Sequence, residues 1–275
     1  NGIDFNAVKQ SGVQFIYMRG MIDYAVDDYF VSTAIGAKKA GIPIGAFHYV
    51  YIQNFLEEPE ALAQAFINTL EATFGKGKYG DLIPVLDVEE PQKQETLLAL
   101  DKTRMINNRE VQDKFGAGDL LPFVMRYKNY FEATTGVPLM IYTAEWWVEG
   151  DASIPFRGFQ DFWGVDNPIK NMPLWTAAWT RYGYEFPRNY GGWTKWTVWQ
   201  HSDKGNVPGI SDRGERYGSP VNSINVQVDL NYGPENLSNI MIKYPIAAKS
   251  ELLVPMATTL FGIVTGVLVT KLLQR

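Results

Sequence analysis

Apolar and polar residues alternate along the first 240 positions in a way that predicts strands and helices in turn. Short apolar runs bounded by turn residues are typical of buried strands. Such runs occupy positions 13–18, 44–51, 82–88, 139–143, 174–179, 196–200 and 226–230. Elsewhere the apolar side chains recur at helical spacing, which predicts helices over 31–40, over 60–74 and from residue 120 until Gly136.

The order of these elements predicts an α/β fold. Strands that alternate with helices pair in parallel, and continuously apolar strands are covered on both faces. The chain has 275 residues, which suits one large α/β barrel. We therefore predict an irregular TIM-like β/α barrel over residues 1–240, with a polar loop over 91–118 and a short linker over 241–251.

The last part of the chain has a different character. Residues 252–270 carry no charge, and a helix of this length rises by roughly the thickness of a bilayer's hydrocarbon core. We predict a transmembrane helix over 252–271. The positive charges of Lys271 and Arg275 at its end indicate a cytoplasmic C-terminus, with residues 1–240 on the outer side of the membrane. A buried C-terminal helix or strand pair is the alternative.

The amino-acid composition excludes several kinds of binding partner and active site. The net charge is -5 and no run of basic residues occurs, which argues against nucleic acid as a partner. The chain has no cysteine and only two histidines, so thiolate zinc sites, cysteine nucleophiles and three-histidine metal sites are excluded. We expect no metal and no organic cofactor, and the remaining candidates for chemistry are carboxylates.

Asp87 and Glu89 lie at the end of an apolar run. Alternate side chains of a strand share a face, so these carboxylates point the same way, about 6–7 Å apart at the backbone. Each then raises the pKa of the other, and one carboxyl group can stay protonated while the other is ionised, as glycosidic cleavage requires. In a β/α barrel, catalytic groups lie at this end of a strand. A solvated acidic turn before Pro91 is the alternative.

All eight tryptophans fall between residues 146 and 199. Aromatic rings stack on the flat C–H faces of sugars, so the cluster favours a carbohydrate groove, with core packing as the alternative.

Four other positions carry candidate polar groups. Arg19 ends the first strand run and can pair with a site carboxylate or form a surface ion pair. Asp229 ends the last strand run, where a further site carboxylate can lie. His48 lies in a strand run, where a hydrogen-bonded internal histidine is the expectation and a pocket contact the alternative. Asp27 and Asp28 are expected to begin a helix.

Several segments together resemble glycoside hydrolase family 25, the lysozyme-type muramidases of bacteria and phages. The segments are residues 2–5, 8–9, 11–15, 37–41, 45–49, 84–89, 141–143, 174–179, 199–200 and 228–231. The resemblance implies an irregular β/α barrel that cleaves the β-1,4 bond between N-acetylmuramic acid and N-acetylglucosamine in peptidoglycan.

The resemblance also implies roles for particular residues. Glu89 matches the family's general acid, Asp87 its partner and Asp229 a further pocket aspartate. Asp87 would either orient the substrate's N-acetyl group or stabilise positive charge. Arg19 stays a candidate contact, and four further residues would line the saccharide cleft: Tyr49, Tyr142, Trp175 and Gln200. Asp4 matches an aspartate that follows the family's first strand, so we expect that strand to be missing from this sequence.

The leading hypothesis is therefore a muramidase that acts on peptidoglycan glycan strands. We expect it to be extracytoplasmic and membrane-anchored, or phage-encoded. A non-catalytic peptidoglycan-binding module with an incomplete site is the main alternative, and an enzyme acting on another glycan is a third.

Overall fold

The computed structural model describes most of the first 244 residues. The described ranges are 3–50, 58–89, 104–106, 109–111, 117–144, 168–179, 192–210 and 228–244. The chain divides into two units, Asn1–Ile242 and Lys243–Arg275. The second unit lies outside the described residues except for 243–244, so the predicted linker end and the hydrophobic segment 252–271 stay predictions. Within the described ranges, no helix is both long and apolar enough to cross a membrane.

The helices follow the predicted pattern with one addition. The described α-helices are α1 (Phe5–Gln10), α2 (Phe30–Ala40), α3 (Pro59–Phe74) and α4 (Ala117–Thr135). The last three confirm the predictions, and α2 ends as expected at Gly41, which has φ 68°. Helix α1 was not predicted. Asp4 begins it, because its carboxylate accepts the amides of Asn6 and Ala7 at 3.0 and 3.1 Å.

The strands of the described part form one large sheet and one small hairpin. They are β1 (Ile16–Ile22), β2 (Ala25–Val26), β3 (Ile44–Tyr49), β4 (Val85–Asp87), β5 (Arg104–Ile106), β6 (Arg109–Val111), β7 (Met140–Ala144), β8 (Leu174–Ala177), β9 (Val198–Gly205) and β10 (Val228–Tyr232). The sheet order is β10-β9-β8-β7-β4-β3-β1-β2, and β5 pairs only with β6. The five inner pairs of the large sheet are parallel, as predicted: β1–β3, β3–β4, β4–β7, β7–β8 and β8–β9. The edge strands β2 and β10 pair antiparallel with β1 and β9.

The large sheet curls around its own interior. Strands β1 and β8 are four positions apart in the sheet order, which is roughly 19 Å in a flat sheet. Yet the ring centroids of Tyr17 on β1 and Trp175 on β8 are 5.0 Å apart. Beyond the strands, Phe15 lies against Gly233, and Asp4 donates its amide to the Gly209 carbonyl at 2.7 Å. The two margins of the sheet therefore approach each other.

The predicted irregular TIM-like barrel is only partly realised. Among the described strands no ladder joins β10 to β2, so the sheet is a curled half-barrel. At one edge of the sheet, β2 turns back after Asp23 and pairs with Met21 and Ile22 of β1. Apolar side chains of the central strands fill the interior, and Ile44 on the opposite face of β3 packs with Ala34 and Ala37 of α2.

Candidate active site

Four of the predicted site residues lie side by side in one row across the sheet. Tyr49 pairs in register with Asp87, Asp87 with Tyr142, and Tyr142 with Trp175. All four are nearly buried, and the rings of Tyr142 and Trp175 are 5.0 Å apart. Tyr49 and Asp87 are the last residues of the parallel strands β3 and β4, where loops can admit a ligand, whereas Tyr142 and Trp175 lie within β7 and β8.

Asp87 is the most deeply placed carboxyl group of the row. It is 4% exposed, and its Oδ1 has no hydrogen-bond partner among the described residues. Burial raises the pKa of Asp87 well above its ordinary value, and the negative charges of Glu89 and Asp229 raise it further, while the Arg19 guanidinium opposes the shift. Glu89, two residues further along, is half-buried. The pair thus consists of a deep carboxyl group and a more accessible one.

Asp229 lies on β10, at the edge of the same sheet. Its side chain is exposed, but neighbouring atoms remove part of its hydration and raise its pKa, with a further contribution from the Asp203 carboxylate. Two residues along, the Asn231 amide accepts the indole N–H of Trp175 at 2.7 Å. Asp229 and Asp87 are close enough to interact electrostatically. The structure therefore brings the three predicted carboxylates to one region.

Arg19 makes a different contact from the two that the sequence suggested. Its Nε and Nη2 donate to the same Asp27 oxygen at 3.0 and 2.8 Å, and Asp27 is nearly buried. The other Asp27 oxygen accepts the amide of Tyr29, just before α2, so Asp27 begins the helix as predicted. Arg19 hence pairs with neither a site carboxylate nor an exposed one, and it acts on Asp87 through its charge.

Gln200 links the row to the rim of the sheet. The side chain is 3% exposed, and its Oε1 accepts the indole N–H of Trp179 at 2.8 Å and the phenol of Tyr142 at 3.4 Å. Trp179 lies two residues beyond β8 and is 47% exposed. Trp179 was one of the eight tryptophans and the last residue of the run 174–179, but the sequence predicted no individual role for it, because neither its exposure nor its partner is visible in a strand pattern.

Most of the described tryptophans belong to the interior. Trp175, Trp193 and Trp199 are each 5% exposed, and every one donates its indole N–H to a protein acceptor. For these three, core packing describes the side chain better than an open groove. Trp196 is half-buried against Trp199. Trp146, Trp147 and Trp163 lie outside the described residues.

His48 is an internal histidine with both ring nitrogens engaged, as predicted. Nε2 lies 2.6 Å from the carbonyl oxygen of Asp23, and Nδ1 lies 2.8 Å from the hydroxyl of Tyr127 on α4. A carbonyl only accepts, so Nε2 carries the proton and the Tyr127 hydroxyl donates to Nδ1. Burial lowers the pKa of His48 to about 4. Asp23 itself has φ 47°, a left-handed conformation unusual for aspartate.

Comparison with known proteins identifies the family of this chain. The model of glycosyl hydrolases family 25 matches residues 1–210. The chain belongs to glycosyl hydrolases family 25. This assignment confirms the resemblance found in the sequence, and the paired carboxylates at the end of β4 lie within the matched residues.

Two curated proteins to which this chain is similar are lysozymes by name. Lysozyme M1 of Streptomyces globisporus is 29% identical over 226 residues, which cover 79% of this chain and 64% of that protein. The autolytic lysozyme of Clostridium acetobutylicum is 27% identical over 214 residues, covering 76% and 49%. The chain thus spans about half to two thirds of the length of these curated relatives.

A solved structure supports the fold. The spore cortex lytic enzyme SleM of Clostridium perfringens superposes with a TM-score of 0.66 at 29% identity, covering 88% of this chain and 66% of that one. The curled α/β sheet described above is therefore shared with a lytic enzyme. Among the described residues, no group of three or more histidine, aspartate or glutamate side chains could hold a metal ion.

Proposed function

We propose that this chain is a muramidase that hydrolyses the β-1,4 bond between N-acetylmuramic acid and N-acetylglucosamine in peptidoglycan. The observation that carries the proposal is the carboxyl pair of Asp87 and Glu89 at the end of β4, inside a sheet that a family 25 member also forms. The relatives named above are lysozymes by their names, which supports a wall glycan as the substrate class.

Glu89 is the general acid in this proposal. It follows the buried Val88, is more accessible than Asp87, and donates its proton to the leaving glycosidic oxygen as the C–O bond breaks. Positive charge then develops on the sugar. Asp87 assists either by stabilising that charge or by orienting the N-acetyl group, and Asp229 adds a third negative group at the edge. A water molecule completes the hydrolysis by supplying a hydroxyl group to the sugar and a proton to Glu89.

Burial raises the pKa of Asp87, and the charge of Glu89 raises it further. A singly protonated pair is therefore favoured over a doubly ionised one. Arg19 favours the ionised form of Asp87 and thereby favours the arrangement in which Glu89 holds the proton. That arrangement is the one that the acid step requires.

The experiment that tests the proposal measures release of reducing sugar from purified peptidoglycan by the full chain. Glu89→Gln should reduce the rate by at least about a hundredfold, because general acid catalysis contributes about this much. Glu71→Gln is the matched control. Glu71 lies in the last turn of α3 and accepts the amide of Gly77, a bond that glutamine can also accept. The control should keep full activity.

Two results would contradict the proposal in different ways. A Glu89→Gln variant that keeps most of its activity would remove Glu89 as the acid. A wild-type chain that binds peptidoglycan without releasing reducing ends would favour the non-catalytic binding module. The membrane anchor over 252–271 stays a prediction, and it affects where the chain acts and not how the bond is cleaved.

A further inference from the structure

Trp179 combines an exposed ring with a fixed polar edge. Nearly half of its surface is exposed, yet its polar edge is anchored to a buried partner, the Oε1 of Gln200. An aromatic ring whose polar edge is fixed by a hydrogen bond presents its exposed apolar part in a defined orientation.

Gln200 is fixed from several sides. Its backbone carbonyl accepts the amide of Ala178, and its Cα pairs in register with Ala177. The indole N–H of Trp179 can only donate, so the side-chain atom that faces it must be the oxygen. The orientation of the Gln200 side-chain amide is therefore determined. Gln200 holds Ala178 through its backbone carbonyl and the Trp179 indole through its side chain.

The anchor lies next to the acidic groups. The phenol of Tyr142 also donates to Gln200 Oε1, and the pKa of Tyr142 is raised well above its ordinary value by burial and by the charges of Glu89, Asp87 and Asp229. Tyr142 thus lies within electrostatic reach of all three carboxylates. Tyr142 and Trp179 both donate to the same Gln200 oxygen, so the exposed Trp179 ring lies near Asp87 and Glu89.

We propose that Trp179 is the stacking platform for a sugar ring adjacent to the bond that is cleaved, and that Gln200 is its positioning residue. The proposal rests on the proposed function and adds a specific recognition element to it. The ligand class is a neutral pyranose with an apolar C–H face, such as an N-acetylhexosamine of the glycan strand. Trp175 cannot take this role because it is 5% exposed.

The test measures hydrolysis of soluble peptidoglycan fragments by variants of the full chain. Trp179→Ala should raise KM about tenfold and change kcat much less, because the stacked C–H face of the sugar takes no part in bond breaking and binds ground and transition states alike. Trp179→Phe should raise KM less than Trp179→Ala and about as much as Gln200→Leu, because it keeps a ring and loses only the hydrogen bond to Gln200. Tyr232→Ala is the matched control. Tyr232 is 41% exposed and stacks on His201, which alternates with Gln200 on β9 and so lies on the opposite face.

A double-mutant cycle tests the positioning role of Gln200. Gln200→Leu should raise KM in the wild-type background through loss of the Trp179 anchor. In the Trp179→Phe background, where no indole N–H exists, the same substitution should have little further effect. Equal effects of Gln200→Leu in both backgrounds would show that Gln200 does not act through Trp179. Circular dichroism and melting temperature should confirm that each variant folds.

Failure of this proposal is distinguishable from failure of the proposed function. Binding of the same fragments to Glu89→Gln, with and without Trp179→Ala, gives a readout that needs no catalysis. Loss of binding on removal of Trp179 supports the platform even if the wild-type chain is inactive. Unchanged binding and unchanged KM in Trp179→Ala would overturn it even if the chain is an active muramidase. A chain that neither binds nor hydrolyses the fragments would overturn both.

Discussion

Arg19 donates two hydrogen bonds to one oxygen of Asp27, at 3.0 Å from Nε and 2.8 Å from Nη2. This pair holds a positive charge on the interior side of β1 while leaving Asp87 without a direct bond from it. The Arg19 charge lowers the pKa of Asp87 against the effects of burial, Glu89 and Asp229. Asp27 therefore holds the Arg19 guanidinium in place, and the Arg19 charge favours the ionised form of Asp87 in the Asp87–Glu89 pair.

Replacing Arg19 should shift the acidic limb of the pH–rate profile. In Arg19→Met the opposing charge is lost, so the pKa of Asp87 rises further and the ionised form of Asp87 appears only at higher pH. The acidic limb of kcat/KM should therefore move to higher pH. Arg19→Lys retains a charge but not the paired contacts, and its limb should lie between those of the wild type and Arg19→Met. An unchanged limb in Arg19→Met would exclude this role.

Asp87→Asn should change the pH dependence of stability in a defined direction. Below the ordinary pKa of aspartate, the folded and unfolded states both hold the proton. As pH rises above it, the unfolded chain ionises first and stability is lost until pH passes the raised folded pKa. Asparagine does not ionise, so the melting temperature of Asp87→Asn minus that of the wild type should increase from pH 4 towards neutrality. Exposed Asp28→Asn serves as control, and a difference that does not grow would contradict the account.

His48 should make the opposite contribution. Its folded pKa is about 4 and its ordinary value is 6.5, so between these values the unfolded state binds a proton that the folded state does not. Stability is fully present above pH 6.5 and is lost as pH falls towards 4. The stability advantage of the wild type over His48→Gln should narrow by up to about 3 kcal/mol across this window. Denaturant unfolding of the wild type and of His48→Gln at several pH values measures this change, and a stability difference that stays constant over the window would contradict the account.

Gly45→Ala should weaken the curled sheet. Gly45 lies on β3, and a Cβ there would overlap the ring of Tyr17, which contacts Trp175 across the interior and donates to the Ile83 carbonyl at 2.9 Å. Moving that ring should lower the free energy of unfolding by about 1–3 kcal/mol. The measurement is chemical denaturation, paired with Tyr17→Phe, which keeps the ring and loses only the hydroxyl. A Gly45→Ala variant as stable as the wild type would show that Tyr17 can move freely.

The local sequence pattern predicted the long elements well. Helix α3 has Leu62, Phe66 and Leu70 at helical spacing, and all three are fully buried. The run through Asp87 predicted both β4 and the carboxyl pair, because alternation along a strand needs no tertiary information. Helix α1 was missed because it has only six residues, and β2 because it has only two. Elements this short depend on tertiary contacts more than on their own pattern.

Other features depend on contacts between distant residues and cannot be read from local spacing. The 5.0 Å approach of Tyr17 and Trp175 follows from the curl of the whole sheet, and the exposure of Trp179 follows from where β8 ends. The contact between Arg19 and Asp27 depends on the β1–β2 hairpin, which the sequence analysis did not predict. Proposed site roles, the missing first strand and the membrane segment stay predictions.

The central claim is that this chain breaks the bond on the muramic acid side through Glu89. The most direct measurement is identification of the new reducing end after digestion of purified peptidoglycan, by borohydride reduction and mass spectrometry. The account predicts reduced N-acetylmuramic acid in the wild-type and Glu71→Gln digests and none above background with Glu89→Gln. Reduced N-acetylglucosamine as the product, or reduced N-acetylmuramic acid at wild-type levels from Glu89→Gln, would contradict it.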